Sequence, residues 1–275
     1  MSIIFNGKEY SEKKKLILQT SSDKVREFGV VPHLSTIVIG NNPASITYAK
    51  LKKKFIESLG CQVDIYNLKE NAKWNEIELL LKTLNDDATV HGIMVQMPLP
   101  EGVSAYKTKI LDLINDDKDV DGLKENSKYL HPTSKAVMEI LAMAMYETKI
   151  DVMTICIVGS GGMVGKPLAK ELKKLGYMVF EADENTSDLK SLTMQADAIV
   201  SATGVMNLIT PDMINEETIV IDVGFPDGDA SPEVQEKTSF VTPVPNGVGP
   251  VTITCLAENL IISAQSTIPS TRDVK

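Results

Sequence analysis

A lysine set among apolar residues on a helix is the first group in this chain with a chemical use. Residues Pro43 to Gly60 read as a helix, with Pro near the start and Gly just past the end. At about 100° per residue, Tyr48, Ala49, Leu51, Phe55, Ile56 and Leu59 share one arc. Lys52 falls inside that arc, whereas Lys50, Lys53, Lys54 and Glu57 fall outside it. A lysine turned toward apolar neighbours loses hydration, which pulls its pKa toward neutrality. Such an amine suits proton transfer, with Tyr48 one turn earlier on the same face. A lysine whose stem merely covers the core would show the same pattern, so the helix alone leaves both readings open.

A second set of residues suits dinucleotide chemistry. Gly159-Ser160-Gly161-Gly162-Met163-Val164-Gly165 follows a strand and opens a helix. Glycines let the backbone approach a pyrophosphate, which then rests on helix amides. The spacing is one residue longer than the familiar fingerprint, and a strand-to-helix turn often needs glycine anyway. Asp183 comes right after the next strand, beside Glu181 and Glu184, with no Arg nearby. An acid there binds a ribose 2′-hydroxyl and repels a 2′-phosphate, which favours NAD over NADP; a solvated acidic loop is the alternative.

Three further segments lie where ligands meet open α/β sheets, beyond the carboxyl ends of strands. Gln96-Met97-Pro98-Leu99-Pro100 ends a strand, and Gln96 is placed to reach Lys52 and hold it through a neutral amide. Asp121 lies in the polar loop 116–122, where a buried carboxylate would take two donors from a guanine-like ring. Thr242 to Thr252 carries Pro243, Pro245, Gly247, Gly249 and Pro250 ahead of a helix. Rigid turn chemistry alone would also explain that loop.

The elements that must carry these groups alternate. Strands are expected at 35–40, 62–66 and 90–96, with helices at 43–59, 74–84 and 104–114 between and after them. Residues 1–30 show helical spacing at Leu16, Ile17, Val25 and Phe28. This predicts three βα units and a mostly parallel sheet. A helix at 133–146 is expected to bridge to a second βα series with strands at 154–158, 177–180, 198–202, 218–223 and 239–241. A helix from 251 ends the chain and is expected to complete the first domain. The domains expected are 1–122, completed by 251–275, and a Rossmann-like 133–250.

Bulk properties narrow the partners. The 275 residues are 43% hydrophobic and 24% charged, ordinary globular values, with net charge −9. That balance argues against nucleic acid as the main partner. No apolar run approaches the ~20 residues of a membrane span, and no leader pattern opens the chain, so a cytoplasmic protein is expected. Cys61, Cys156 and Cys255, like the three histidines, are too scattered for a disulfide framework, and no metal site is expected.

Taken in order, the motifs resemble the bifunctional methylenetetrahydrofolate dehydrogenase/methenyltetrahydrofolate cyclohydrolase family over nearly the whole chain. The matching stretches are Val38 to Ser45, Tyr48 with Lys52, Val95 to Pro100, Lys118 to Gly122, Val164 to Pro167, and Thr242 to Pro245 with Gly247 to Pro250. The resemblance implies two α/β domains with a folate cleft between them, usually in a homodimer, and a dinucleotide, by habit NADP, in the second domain. It implies oxidation of the folate's one-carbon bridge, then hydrolysis to 10-formyltetrahydrofolate. It casts Lys52 as the catalytic lysine, Tyr48 as its stacking and orienting tyrosine, Gln96 as its partner and Asp121 as the pterin-binding acid. Pro98, Leu99, Gly247 and Pro250 join Tyr48, Gln96 and Asp121 in the expected substrate site. Gly159, Ser160, Gly161, Gly162, Val164, Gly165, Asp183, Glu184 and Thr203 form the expected cofactor site.

Departures from the family pattern concentrate at the nucleotide. Ser160-Gly161 replaces an Arg-Ser pair, and Asp183-Glu184 replaces a His-Ser type pair; both changes remove partners for a 2′-phosphate. Asn246 stands for a glycine, and His131-Pro132-Thr133-Ser134 for Pro-Cys-Thr-Pro. Two alternatives follow: a chain that keeps only the cyclohydrolase, or another two-domain NAD(P)-dependent dehydrogenase. A short-chain dehydrogenase is excluded, because its Tyr-x-x-x-Lys follows the glycine loop within one domain, whereas here the pair comes first.

Overall fold

The computed structural model describes residues 2–269. It divides into two compact units: the residues up to 13 with 131–255, and 14–130 with the segment from 256 on.

The unit holding Lys52 is built on a small parallel sheet. Strand β2 (His33–Ile39) lies between β3 (Gln62–Leu68) and β4 (Gly92–Val95). All seven residues of β2 are buried, as expected of a strand covered on both faces. One face packs Leu34 and Met94 with Ile56, Leu59, Val120 and Leu260; the other packs Ile37, Ile39, Ile93 and Val95 with Ile77, Leu81 and Ile110. Helices α2 (Pro43–Glu57) and α3 (Trp74–Asp86) follow β2 and β3. The expected single helix at 104–114 is two short ones, α4 (Glu101–Ser104) and α5 (Lys107–Leu113), broken where Tyr106 turns its ring onto Trp74 at 5.4 Å.

The other unit is a six-stranded parallel sheet in the order β1-β9-β8-β7-β5-β6. Its strands are β1 (Ile3–Ile4), β5 (Thr154–Val158), β6 (Met178–Ala182), β7 (Ala198–Ser201), β8 (Ile219–Asp222) and β9 (Phe240–Val241). Alternate residues feed opposite cores. Ile155, Ile157, Ala198, Val200, Ile219, Ile221 and Phe240 meet helices α6 (Pro132–Thr148) and α7 (Gly165–Lys174). Cys156, Val158, Ile199, Val220 and Val241 line the other face.

Four expectations need correction. The first residues do not join the lysine domain: Ile3 and Ile4 pair with Phe240 and Val241, and the Phe5 ring sits 5.8 Å from that of Phe240. A two-residue strand is too short for alternation to reveal. Helix α6 is no bridge but an integral part of the large-sheet unit, with Ala136, Val137, Ile140, Leu141 and Ala144 in its core. In α1 (Gly7–Glu27) Val25 is buried with Leu18, while Leu16, Ile17 and the following Phe28 are exposed. The last helix, α8 (Val248–Ser266), starts three residues before its expected position, and the division between units falls within it, after Cys255. The part of the expected 251–275 segment beyond 269 lies outside the described residues.

Candidate active site

Lys52 is positioned by the start of α2. Asn42 caps the helix by accepting from Ser45 N at 3.1 Å, and Pro43 occupies the first turn. The buried face is Ser45, Ala49, Lys52 and Ile56. Leu51, expected on the inner arc, is half exposed, so the apolar stripe is rotated and Lys52 sits at its centre. Only 6% of Lys52 remains accessible. Its Nζ donates to Gln96 Oε1 and to Met94 Sδ, each at 3.3 Å, and lies 4.5 Å from the centre of the Tyr48 ring.

Gln96 is held from two sides. Its backbone N donates to Ile37 O at 2.9 Å, which extends the β4 ladder, and its Nε2 donates to Met97 O at 2.7 Å. The amide is thereby turned with its oxygen toward the lysine. Met94 was not foreseen as a partner. The signal was available: it lies two residues before Gln96 on a strand, hence on the same side.

Burial pulls the Lys52 pKa down, and the carboxylate of Asp121 partly opposes this. Burial, with Asp121, holds the Tyr48 phenol above its ordinary range, so it stays protonated at neutral pH. A neutral lysine has two N–H donors and one lone pair. Gln96 and Met94 accept both donors, which leaves the lone pair to meet a proton.

Asp121, itself 9% accessible, is placed by its neighbour. Val120 is fully buried against Gly92, where a Cβ would stand 2.7 Å from Val120 Cγ2, and its carbonyl accepts from Asn259 Nδ2 at 2.9 Å. Asp119 is turned inward and accepts from Leu123 N and Lys124 N at 3.3 and 3.2 Å. Of the other expected substrate contacts, Pro98 is exposed and Leu99 packs half-buried on the core. The structure therefore gathers Tyr48, Lys52, Gln96 and Asp121 by contact or charge, with Pro98 and Leu99 following directly on Gln96.

Gly247 and Pro250 belong to the other unit. A Cβ on Gly247 would lie 2.4 Å from Pro243 O, and one on Gly7 would lie 1.9 Å from Gly247 O. Backbone packing thus demands both glycines. Asn246, the departure from the family's glycine, takes φ +77°, a left-handed conformation that asparagine tolerates better than most residues.

The glycine turn joins β5 to α7. Gly159 has φ +87°, and its N and that of Ser160 both donate to Ala182 O, at 2.9 and 3.1 Å. A Cβ on Gly165 would lie 2.3 Å from Gly159 O, while one on Gly161 meets nothing within 4 Å. Gly159 and Gly165 are needed by the turn itself; Gly161 leaves open space beside it. The amides of Gly161, Met163, Val164 and Gly165 make no hydrogen bond among the described residues. Free amides and open space at a helix N-terminus fit the pyrophosphate of a dinucleotide.

Asp183 follows β6 next to this turn, because Val158 pairs with Ala182. It is exposed, and its Oδ1 accepts from Asn185 N at 2.8 Å; Glu184 is also exposed. Glu181 is paired with Lys173. Thr203 is tied into the protein: its N and Oγ1 donate to Asp229 Oδ2 at 2.7 and 2.8 Å, and Oγ1 accepts from Val205 N at 3.1 Å. Its donors are thus engaged inside the fold.

Among the described residues no group of three or more His, Cys, Asp or Glu side chains could hold a metal ion, and no helix is long and apolar enough to cross a membrane. Cys61, Cys156 and Cys255 are buried and joined by no disulfide.

Two family models cover most of the chain. Residues 5–121 match the catalytic domain of tetrahydrofolate dehydrogenase/cyclohydrolase, and residues 131–268 match its NAD(P)-binding domain. The chain is 39% identical to the bifunctional protein FolD of Campylobacter jejuni, over 96% of this chain and 98% of that one. A crystal structure of the bifunctional enzyme FolD from C. jejuni superposes with a TM-score of 0.91 at 38% identity, covering 97% of this chain and 99% of that one. A Trypanosoma brucei methylenetetrahydrofolate dehydrogenase-cyclohydrolase, solved with NADP and an inhibitor, superposes with a TM-score of 0.89 at 26% identity, covering 98% and 99%. Both halves of the chain match in their proper order, so the chain belongs to the tetrahydrofolate dehydrogenase/cyclohydrolase family.

Proposed function

We propose that this bifunctional enzyme converts 5,10-methylenetetrahydrofolate to 10-formyltetrahydrofolate with Lys52 as the proton carrier of the second step. The observation that carries this reading is the buried Lys52 amine, its donors engaged by Gln96 and Met94 and its pKa lowered by burial. When bound, the dinucleotide accepts a hydride from the one-carbon bridge, which leaves the methenyl cation. Asp121 takes the N–H edge of the pterin, and the Tyr48 ring stacks on the folate and orients it. A neutral lysine also suits the cationic methenyl group better than an ammonium would. Water adds to the methenyl carbon as Lys52 takes one of its protons. Lys52 returns that proton to N5 as the carbon–N5 bond breaks, and the hydroxyl proton leaves to solvent as the formyl C=O forms. The dehydrogenase needs mainly apposition of the two rings.

The dinucleotide is NAD by preference in this reading. What supports this is that Asp183 and Glu184 are exposed acids directly after β6, where a carboxylate repels a 2′-phosphate, and that the chain's two arginines, Arg26 and Arg272, lie outside the matched NAD(P)-binding stretch 131–268. The deciding assay offers methylenetetrahydrofolate with NAD or with NADP and follows both reduced nicotinamide and methenyltetrahydrofolate. Faster turnover with NAD is expected. Faster turnover with NADP overturns the preference. Decay of added methenyltetrahydrofolate without oxidation in either cofactor would leave the cyclohydrolase alone.

The enzyme is also read as a homodimer. Strand β6 is an open sheet edge, with Met178, Met153 and Leu175 exposed around it. Light scattering at micromolar concentration should give twice the 30.0 kDa chain mass; a monomer would sink this reading.

A further inference from the structure

The carboxyl edge of the large sheet holds two buried aspartates that no folate or proton step uses. Asp222 ends β8, and its Oδ1 accepts from Gly224 N and Asp229 N at 2.8 and 3.0 Å, its Oδ2 from Ala230 N at 2.9 Å. It fastens the loop after β8 onto its own strand end. Asp229, fully buried, reaches from that loop to the next strand. Its Oδ2 accepts three donors: Ser201 Oγ at 2.7 Å, Thr203 N at 2.7 Å and Thr203 Oγ1 at 2.8 Å. Its Oδ1 has no partner and lies against Gly224, where a Cβ would stand 2.5 Å from it.

The two loops are also stitched by backbone. Ile209 N donates to Asp229 O at 2.9 Å, and Ser231 N returns a bond to Ile209 O at 2.8 Å. That stitching holds the far end of the 203–209 loop. At the near end, where β7 stops, the ladder closes with Ala202 N donating to Val158 O at 2.9 Å and Val223 N donating to Ser201 O at 2.8 Å, and just beyond it the Asp229 carboxylate takes both donors of Thr203. The near end is also where the glycine turn packs. A Cβ on Gly159 would stand 2.6 Å from Ala202 O and 3.3 Å from Thr203 Cγ2. A shift of a few tenths of an ångström in 202–203 therefore reaches the glycine turn directly, because close-packed backbone transmits displacement.

We propose that Asp229 is a positioning residue for dinucleotide binding: one carboxylate oxygen, by gathering Ser201 and both donors of Thr203, sets the strand end against which the Gly159 turn is shaped. Charge-assisted bonds are the strong ones, and an oxygen shared by three donors needs its full negative charge. A neutral amide of the same size would keep the packing and weaken the clamp. This inference rests on the dinucleotide reading of the glycine turn.

The test uses the full chain with Asp229→Asn. Three quantities are measured: the dissociation constant for NADH or NADPH from nucleotide fluorescence, the rate of methenyltetrahydrofolate hydrolysis without dinucleotide, and Tm. The expected result is dinucleotide affinity weakened by about tenfold with hydrolysis unchanged. A merely structural role would lower Tm and both functions together, and that outcome overturns the proposal, as does dinucleotide affinity within twofold of the parent's. Ser201→Ala removes one donor from the same oxygen and serves if Asp229→Asn does not fold. It should weaken dinucleotide binding by about threefold, and unchanged affinity there is equally fatal. A parent protein that binds neither dinucleotide would overturn the dinucleotide reading itself, a result distinct from a parent and an Asp229→Asn variant that bind alike.

Discussion

The ends of the two parallel sheets solve opposite problems. Beyond the small sheet, Lys52 and Gln96 are buried, and each is held by side-chain hydrogen bonds. Beyond the large sheet, the glycine turn offers backbone amides and the next loop exposed acids, while the buried side chains, Asp222 and Asp229, brace loops from behind. Proton transfer needs a desolvated amine, so its chemistry must sit inside and is tied to packing. Dinucleotide choice needs only the right charge at the surface of a fixed turn, so it can change without disturbing the core. This contrast explains why the departures from the family pattern gather at Ser160-Gly161 and Asp183-Glu184 while the lysine pocket is whole.

The largest test of the contrast removes the amine. Lys52→Met keeps the stem and the packing, and hydrolysis of methenyltetrahydrofolate should fall by about 10²–10⁴-fold with Tm little changed. Lys52→Arg is the sharper variant: guanidinium cannot give up its proton, so it should be as inactive as Met. An Arg variant with half the parent rate would mean that positive charge, not a lone pair, does the work.

A second pair of variants separates turn from ligand. Gly165→Ala drives a Cβ into Gly159 O at 2.3 Å and should lower stability by about 1–3 kcal/mol, with dinucleotide-dependent oxidation lost. Gly161→Ala meets open space, so Tm should hold while dinucleotide affinity drops. Equal melting of the two variants would contradict the division drawn between turn-forming and ligand-facing glycines.

The exposed acids should yield the next effect. Asp183→Ser removes charge without touching the core, and the ratio of NAD to NADP efficiency should fall by about five- to tenfold, read from kcat/KM for each cofactor. Hydrolysis should not move. If the ratio stays put, Asp183 merely caps its own turn through Asn185.

How much of this was legible depended on what kind of force did the work. Periodicity placed Lys52 inward because a helix face is a local property, yet the same count put Leu51 inside, where it is half exposed. The arc was wide, and only the partners across it, β2 and β4, decide its centre. The glycine turn was readable because its positive φ restricts residue type at Gly159. The Asp229 clamp was not, since Ser201, Thr203 and Asp229 look like ordinary loop polars until the sheet brings two loops together. Ile3 and Ile4 were missed for the same reason: their partner strand lies at the far end of the chain.

The smallest effect concerns acid, and it should strike the lysine-bearing unit at the opposite edge of its sheet. His91 is buried, and its Nδ1 accepts the backbone N–H of His33 at 3.3 Å. Burial pushes its pKa below the ordinary histidine value, helped by the nearby His33 and Lys118 and opposed by Asp87. The folded protein therefore takes up this proton at lower pH than the unfolded chain does. Stability from His91 is full above about pH 6.5 and declines as pH falls from there through the folded pKa. Protonation would also set two donors against each other at Nδ1. Hydrogen exchange should then quicken at pH 5.5 relative to 7.5, after correction for intrinsic rates, in β2 and β4 but not in β5 and β7. Replacing His91 with Gln should abolish that difference, because an amide has no proton to gain in this range. Equal acid loosening of both sheets, or loosening that persists in the His91→Gln variant, would place the sensitivity elsewhere.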